Sequence, residues 1–364
     1  MLTPSQGVTP HGFAFLIHMR EIDDLYRKFP LLKQVPRPLL QSLNSLLWPI
    51  TISKVSGLKN LKNGEVVPGW IIGIPLTARQ MLANRALALK KIRAAARLAE
   101  KKGARVIGLG AMTASLSRGG RDLVEYITAT ITTGHTYTVH NVTSTLLAIA
   151  NTLQDDISKR TVAIVGAGGS IGSNSAHIIA RHQFAKLLLI DLTHKNNALE
   201  NLKHELLRSH PVLSISISNA MMDLREADYV VTATSAPEAL VRAEHLKPGV
   251  VIVDDAQPSD IDEPVFKNEN FLVLEAGAVR TPGISSNFNI DLHHPEENFS
   301  CMAELLILAA DEAIDHVGIG NVSLDAVDVL AKAGQKLGFT IAPFQNMHEK
   351  ISEEKIMHIR QLKA

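Results

Sequence analysis

Cysteine is nearly missing from this chain: Cys301 is the only one in 364 residues. A single thiol excludes an internal disulfide and any multi-cysteine metal site, and it fits a reducing compartment. Aromatic residues are scarce, at 4%, and do not interleave with basic ones, so nothing favours base stacking with nucleic acid. Neither sign of charge dominates. The 37 Lys and Arg stand against 36 Asp and Glu, and a net charge of +1 gives no global pull toward nucleic acid or membrane. No apolar run reaches the roughly 18 residues that a membrane span needs. The first residues, MLTPSQGVTPHGFAFLIHMREIDD, lack a basic start and have only a very short apolar run, a poor signal peptide. A cytoplasmic protein is expected. The 15 histidines are scattered, and the pair His293-His294 is too little for a metal site, so no metal-binding residues are assigned and metal dependence stays open.

The length suits two domains, each with its own core. LTARQMLANRALALKKIRAAARLAEKKG, from about residue 76 to 102, is rich in helix formers and predicts one long helix ending at Gly103. ARVIGLG follows as a short buried strand, and NVTSTLLAIANTLQ predicts another helix. A new unit then begins at TVAIVGAGGSIGSNSAHIIARH, where an apolar strand (162–165) runs through a glycine turn into a helix. LLLID, DYVVTAT, GVVIVDDA and FLVLEAGA supply further apolar runs alternating with helical stretches. That pattern predicts an α/β fold with a parallel, doubly wound Rossmann-type sheet buried on both faces. The expected layout is an α/β substrate domain over 1–154 and a dinucleotide-binding domain over 155–290. Helices over 291–364 are expected to pack back on the substrate domain and carry the cysteine.

The turn Gly166, Ala167, Gly168, Gly169, Ser170, Ile171, Gly172 follows a strand and opens a helix. In that context the glycines allow a tight turn, close backbone approach to a pyrophosphate, and helix–strand packing, while the helix N-terminus offers N–H groups to the anion. Asp191 ends the second strand, 19 residues after Gly172. An acid there accepts hydrogen bonds from ribose hydroxyls and repels a 2′-phosphate, which favours NADH over NADPH. Thr234, Ser235 and Ala276, Gly277 follow later strands, at the edge where this fold holds its cofactor.

Cys301 stands near the start of an apolar helix. A helix N-terminus favours the thiolate. With Asn298 as N-cap it falls at N3, with Ser300 at N1, and with Pro295 opening the helix it loses the benefit. A cysteine on an apolar helix is otherwise a small core residue. His135, in TTGHTYT, is the best acid–base candidate by residue type, whereas His18 in the strand-like FLIHM suits a core histidine. Between Arg79 and Arg105 there are nine basic residues and one acid, Glu100. Lys90, Arg93, Arg97 and Lys101 align on one helical face, which suits an acidic partner or plain solvent.

Several stretches together resemble the long-chain acyl carrier protein reductases of cyanobacteria, relatives of shikimate dehydrogenase and glutamyl-tRNA reductase. They are FLIHM, PLTARQMLANRALALKKIRAAARLAEKKGARVIGLGAMTAS, TTGHTYT, VAIVGAGGSIGS, ADYVVTATSAP, FSCMAELLILA and SLDAVDVLAKAGQKLGF, which occur in the family's order over most of the chain. The resemblance implies that Cys301 accepts the acyl group and that hydride from NADH or NADPH releases a fatty aldehyde. It also implies an acyl carrier protein or coenzyme A donor, the former suited to the Lys90/Arg93/Arg97/Lys101 face. Two departures stand out. The family turn usually reads closer to GATGDIG, and after the second strand it tends to have Ala-Arg, suited to NADPH, in place of Asp191-Leu192. The alternatives are a dehydrogenase of a small alcohol or hydroxy acid, in which Cys301 only packs, and a nucleotide-sensing protein without chemistry.

Overall fold

The computed structural model describes residues 12–19, 21–288, 292–311, 313 and 322–364. The chain forms two compact units. The first comprises residues 1–134, 281–321 and 332–339, and the second 135–280, 322–331 and 340–364.

The first unit opens with β1 (Gly12–Met19), α1 (Asp23–Lys28), α2 (Arg37–Leu43), β2 (Ile50–Ser56) and β3 (Gly69–Thr77). α3 (Ala78–Ala83), α4 (Arg85–Lys101), β4 (Ala104–Leu109), α5 (Met112–Leu116) and β5 (Thr130–Thr132) follow. The long helix expected over 76–102 is broken at Asn84, whose side chain accepts from the Leu87 N–H and caps α4. α4 buries Ala88, Ile92, Ala95, Ala96 and Ala99, the helical spacing that faces it to the sheet. It stops at Gly103, where φ is +90°.

The second unit contains α6 (His135–Thr152), β6 (Thr161–Val165), α7 (Ser170–Ala180), β7 (Lys186–Ile190), α8 (Asn196–Ser209) and β8 (Ser214–Ser218). β9 (Tyr229–Thr232), β10 (Val251–Asp254), α9 (Glu263–Phe266), β11 (Leu272–Glu275) and β12 (Ala278–Arg280) complete its central part. β6 to β11 form one parallel sheet in the order β11-β10-β9-β6-β7-β8. Alternate strand residues serve opposite faces. Val162, Ile164, Leu187, Leu189 and Val231 enter one core with α6, α7 and α8. Ala163, Val165, Leu188, Ile190 and Val230 enter the other. Burial of both faces explains the unbroken apolar runs. β8 is the exception, a half-exposed Ser-Ile-Ser-Ile-Ser edge strand. The chain reverses its direction of travel between β6 and β9, the switch point at which such sheets bind ligands.

The chain then returns to the first unit through β13 (Ser285–Ser286), antiparallel to β2, and α10 (Ser300–Ala310). That unit's sheet has the order β13-β2-β3-β1-β4-β5. α10 lies on β1 and β4, and Gly108 makes room for it, since a Cβ there would stand 3.0 Å from a Leu305 methyl. α11 (Leu324–Lys336) leads on to α12 (Glu353–Lys363).

Two expected boundaries move. The first unit ends at 134 rather than 154, because α6 packs on α7 and belongs to the second core. The helical tail also divides. α10 joins the first unit, but α12 joins the second: Ile359 enters its core, and Lys363 Nζ stands 3.3 Å from Asp155 Oδ2.

Candidate active-site residues

In the second unit the glycine turn runs from β6 into α7. Gly166 has φ +84°, a conformation open to glycine at little cost. A Cβ on Gly172 would lie 2.2 Å from the Gly166 carbonyl oxygen, so this position must be bare for α7 to pack on the turn. Gly169 is the N-cap of α7, and its Cβ would stand 3.1 Å from the same oxygen. Ala167 is buried behind the turn, while Ser170 and Ile171 open the first helical turn, whose N–H groups lack intrahelical acceptors. Bare backbone and free N–H groups at a switch point fit a dinucleotide pyrophosphate.

Asp191 follows β7 and turns toward the glycines. Its Oδ2 accepts from the Gly168 N–H at 2.8 Å, and Oδ1 from the Leu192 N–H at 2.7 Å. It does not cap the next helix. Thr234 and Ser235 follow β9 at the same carboxyl edge, where Thr234 Oγ1 donates to Asp260 Oδ1 at 2.5 Å and Ser235 is exposed. Ala276 and Gly277 follow β11 and are buried. Asn141 on α6 fixes this corner: its Nδ2 donates to the carbonyls of Ala276 and Ala278. Asn141 carries no local signal in the sequence, since Asn151 and Gln154 stand in the same helical stretch. Sequence reading also passed over Asp254, which accepts hydroxyl bonds from Thr232 at 2.6 Å and from Ser259 at 2.5 Å. Burial pushes its carboxyl up to about 7.

His135 is the first residue of α6, so that helix starts six residues before the stretch from which it was expected. Its Nδ1 lies 3.3 Å from Ser170 Oγ, which brings the imidazole beside the glycine turn. Burial lowers its pKa below the ordinary histidine range.

In the first unit Cys301 occupies N2 of α10. The N-cap is Phe299, between the two candidates Asn298 and Ser300 and well after Pro295. The thiol-bearing residue is half-buried. Gly134, at φ +77°, packs directly on it: a Cβ on the glycine would stand 2.2 Å from Cys301 Cα. A buried bridge fixes this approach. Thr132 Oγ1 donates to the Glu304 carboxylate and accepts from the Gly134 N–H at 3.0 Å. Glu304 is one turn along α10 from Cys301 and fully buried. His18, at the end of β1, is buried with Nδ1 2.6 Å from the Met19 carbonyl.

On α4, Lys90, Arg97 and Lys101 are exposed and Arg93 is half-buried. The Arg93 guanidinium lies 3.8 Å from the Tyr126 ring centroid, and Arg97 5.6 Å from it. Part of this charge is therefore stacked on an aromatic ring. Among the described residues, no group of three or more His, Cys, Asp or Glu gathers to hold a metal ion. No helix among them is long and apolar enough to cross a membrane.

The second unit thus carries a Rossmann-type dinucleotide fold, and residues 148–279 match the family described as Shikimate / quinate 5-dehydrogenase. Two curated relatives extend over both units. The chain is 27% identical over 308 residues to Aminotransferase PigE of Serratia sp., covering 82% of this chain. It spans 35% of that protein's length. It is 29% identical over 301 residues to the long-chain acyl-[acyl-carrier-protein] reductase of Synechococcus elongatus, covering 76% of this chain and 83% of that one. Among solved structures, the nucleotide-binding domain of glutamyl-tRNA reductase from Thermoplasma volcanium matches with TM-score 0.27 and 16% identity, covering 36% of this chain and 84% of that one. The family match lies within the second unit, whereas the two relatives are similar over most of the chain.

Proposed function

We propose that the protein reduces a long-chain fatty acyl thioester, carried by acyl carrier protein or coenzyme A, to a fatty aldehyde through an acyl group on Cys301. The observation that carries this reading is the position of Cys301: the first turn of α10, partly open, with a bare glycine against its backbone. The helix N-terminus at that turn favours an anion through its dipole. The thiolate attacks the acyl carbonyl, the carrier thiolate leaves and takes up a proton, and a cysteinyl thioester remains. When bound, NADH or NADPH supplies the hydride that converts this thioester to the aldehyde level. The resulting hemithioacetal oxygen reforms the carbonyl, the C–S bond breaks, and the Cys301 thiolate is regenerated as the aldehyde departs.

Gly166, Gly168, Gly169 and Gly172 hold the pyrophosphate in this reading, and Asp191 accepts the ribose hydroxyls. Its carboxylate disfavours a 2′-phosphate, so NADH is the preferred donor. Thr234, Ser235, Ala276 and Gly277 line the carboxyl edge of the sheet. His135, neutral at pH 7, is assigned the proton exchange, with Ser170 as its neighbour in the glycine turn. The acidic carrier docks on the Lys90, Arg93, Arg97 and Lys101 face.

Aldehyde formation from hexadecanoyl thioesters, followed by gas chromatography with NADH and with NADPH, tests the assignment. Aldehyde from the unaltered protein and none from Cys301→Ala is expected. Equal aldehyde from both proteins, or none from either with any acyl donor, contradicts it.

A further inference from the structure

The stretch from Phe29 to Ile50 in the first unit turns apolar side chains in two directions. Inward, Leu40 of α2 joins Met19, Ile22 and Leu25 in a small buried cluster. The stretch is also tied to the helices behind it. Asn44 and Gln80 exchange two hydrogen bonds of 2.9 Å, and Lys91 Nζ donates to the Leu47 carbonyl at 2.5 Å. Outward, Leu39 and Leu43 lie one helical turn apart on α2, and Leu46, Leu47 and Trp48 follow directly. Leu31 is 81% exposed, Leu46 71% and Trp48 62%. Scattered exposed leucines are ordinary, but six large apolar side chains held outward within residues 31–48 make a patch.

Charge selects the partner. Between Asp24 and Glu65 the sequence has seven Lys and Arg and no Asp or Glu, in a protein whose charges nearly balance over the whole chain. Arg37 is engaged with Asp23 at 2.8 Å, while Lys33, Lys54, Lys59 and Lys62 are exposed. Exposed Leu and Trp in a basic, acid-free stretch match what a bilayer interface takes: apolar groups enter the acyl boundary, and cations meet anionic headgroups. We infer that this ridge docks the protein on an anionic lipid bilayer, with Leu31, Leu39, Leu43, Leu46, Leu47 and Trp48 entering the interface. The inference does not depend on acyl reduction, and its test reads binding rather than turnover.

The test is flotation of the full chain with vesicles of phosphatidylcholine containing about 30% phosphatidylglycerol, against vesicles of phosphatidylcholine alone. The protein floats with the anionic vesicles and far less with the neutral ones. Leu31→Asp combined with Leu46→Asp lowers the bound fraction at least about tenfold, with melting unchanged because both side chains are already in water. In a Trp70→Phe background, Trp48 emission shifts to the blue on adding anionic vesicles. No flotation, equal flotation with neutral vesicles, or equal flotation of the double variant overturns the inference. So does a dimer of the unaltered protein that the double variant dissociates without any vesicle binding, since a second copy would then cover the ridge.

Discussion

Gly134 and Cys301 are so close that a Cβ on the glycine would stand 2.2 Å from both Cα and Cβ of the cysteine. Gly134 also has φ +77°, which an L side chain adopts only with strain. Gly134→Ala is expected to cost about 3 kcal/mol or more, the sum of backbone strain and overpacking. It also displaces the first turn of α10 and slows alkylation of Cys301. Urea denaturation with iodoacetamide kinetics checks both; an unperturbed variant means that the glycine does not set the position of the thiol.

Gly172→Ala forces a side chain against the Gly166 carbonyl and pushes α7 off the turn. NADH affinity falls at least about a hundredfold by calorimetry, since close backbone approach to the pyrophosphate is lost. Acylation of Cys301, which needs no nucleotide, continues. Unchanged affinity contradicts the assignment of this turn.

Replacing Asp191 with Ser removes the carboxylate that accepts from Gly168 and to which ribose recognition is assigned above. The ratio of NADH to NADPH affinity is expected to fall about tenfold, from loss of ribose hydrogen bonds and of charge repulsion. Equilibrium binding of the two nucleotides measures it. A ratio that stays constant removes Asp191 as the selector.

Burial lowers the pKa of His135. The unfolded chain, with an ordinary value of about 6.5, then binds more protons than the folded one as acidity rises. The stability contribution of this group is complete above that value and is lost as pH falls through the lower, folded one. His140 and His177 are shifted the same way by burial. Denaturation at about pH 7 and pH 5 reads their loss of stability on acidification, offset in part by Asp254, whose carboxyl, raised to about 7, gains stability over the same range. His135→Gln makes that loss smaller, by at most about 1.4 kcal/mol per pH unit for one proton. An identical slope in the variant contradicts a buried neutral His135.

The second unit was largely legible because a parallel sheet buried on both faces writes each strand as an apolar run. Val162 to Val165, the glycine turn and Leu187 to Ile190 carry their structure locally. β8 carries none, since an edge strand with serines on alternate positions buries too little to show a run. The unit boundary at Gly134 and the capture of α12 by the second core depend on long-range packing, as between Ile359 and the sheet. The same holds in the candidate site. The start of α10 near Cys301 could be read from composition, but Thr132, Gly134 and Glu304 meet from two distant segments, so no local pattern joins them. Arg93 and Arg97 likewise align by helical spacing, while Tyr126, on which they stack, comes from a separate turn.

Intact mass of the protein after mixing with palmitoyl-coenzyme A, without nucleotide, reads acylation of Cys301 without the later steps. An added palmitoyl mass is expected on the unaltered chain, with none on Cys301→Ala, and its release when NADH is supplied. The same added mass on both proteins, or none on either with coenzyme A and acyl carrier protein donors alike, would contradict a nucleophilic Cys301.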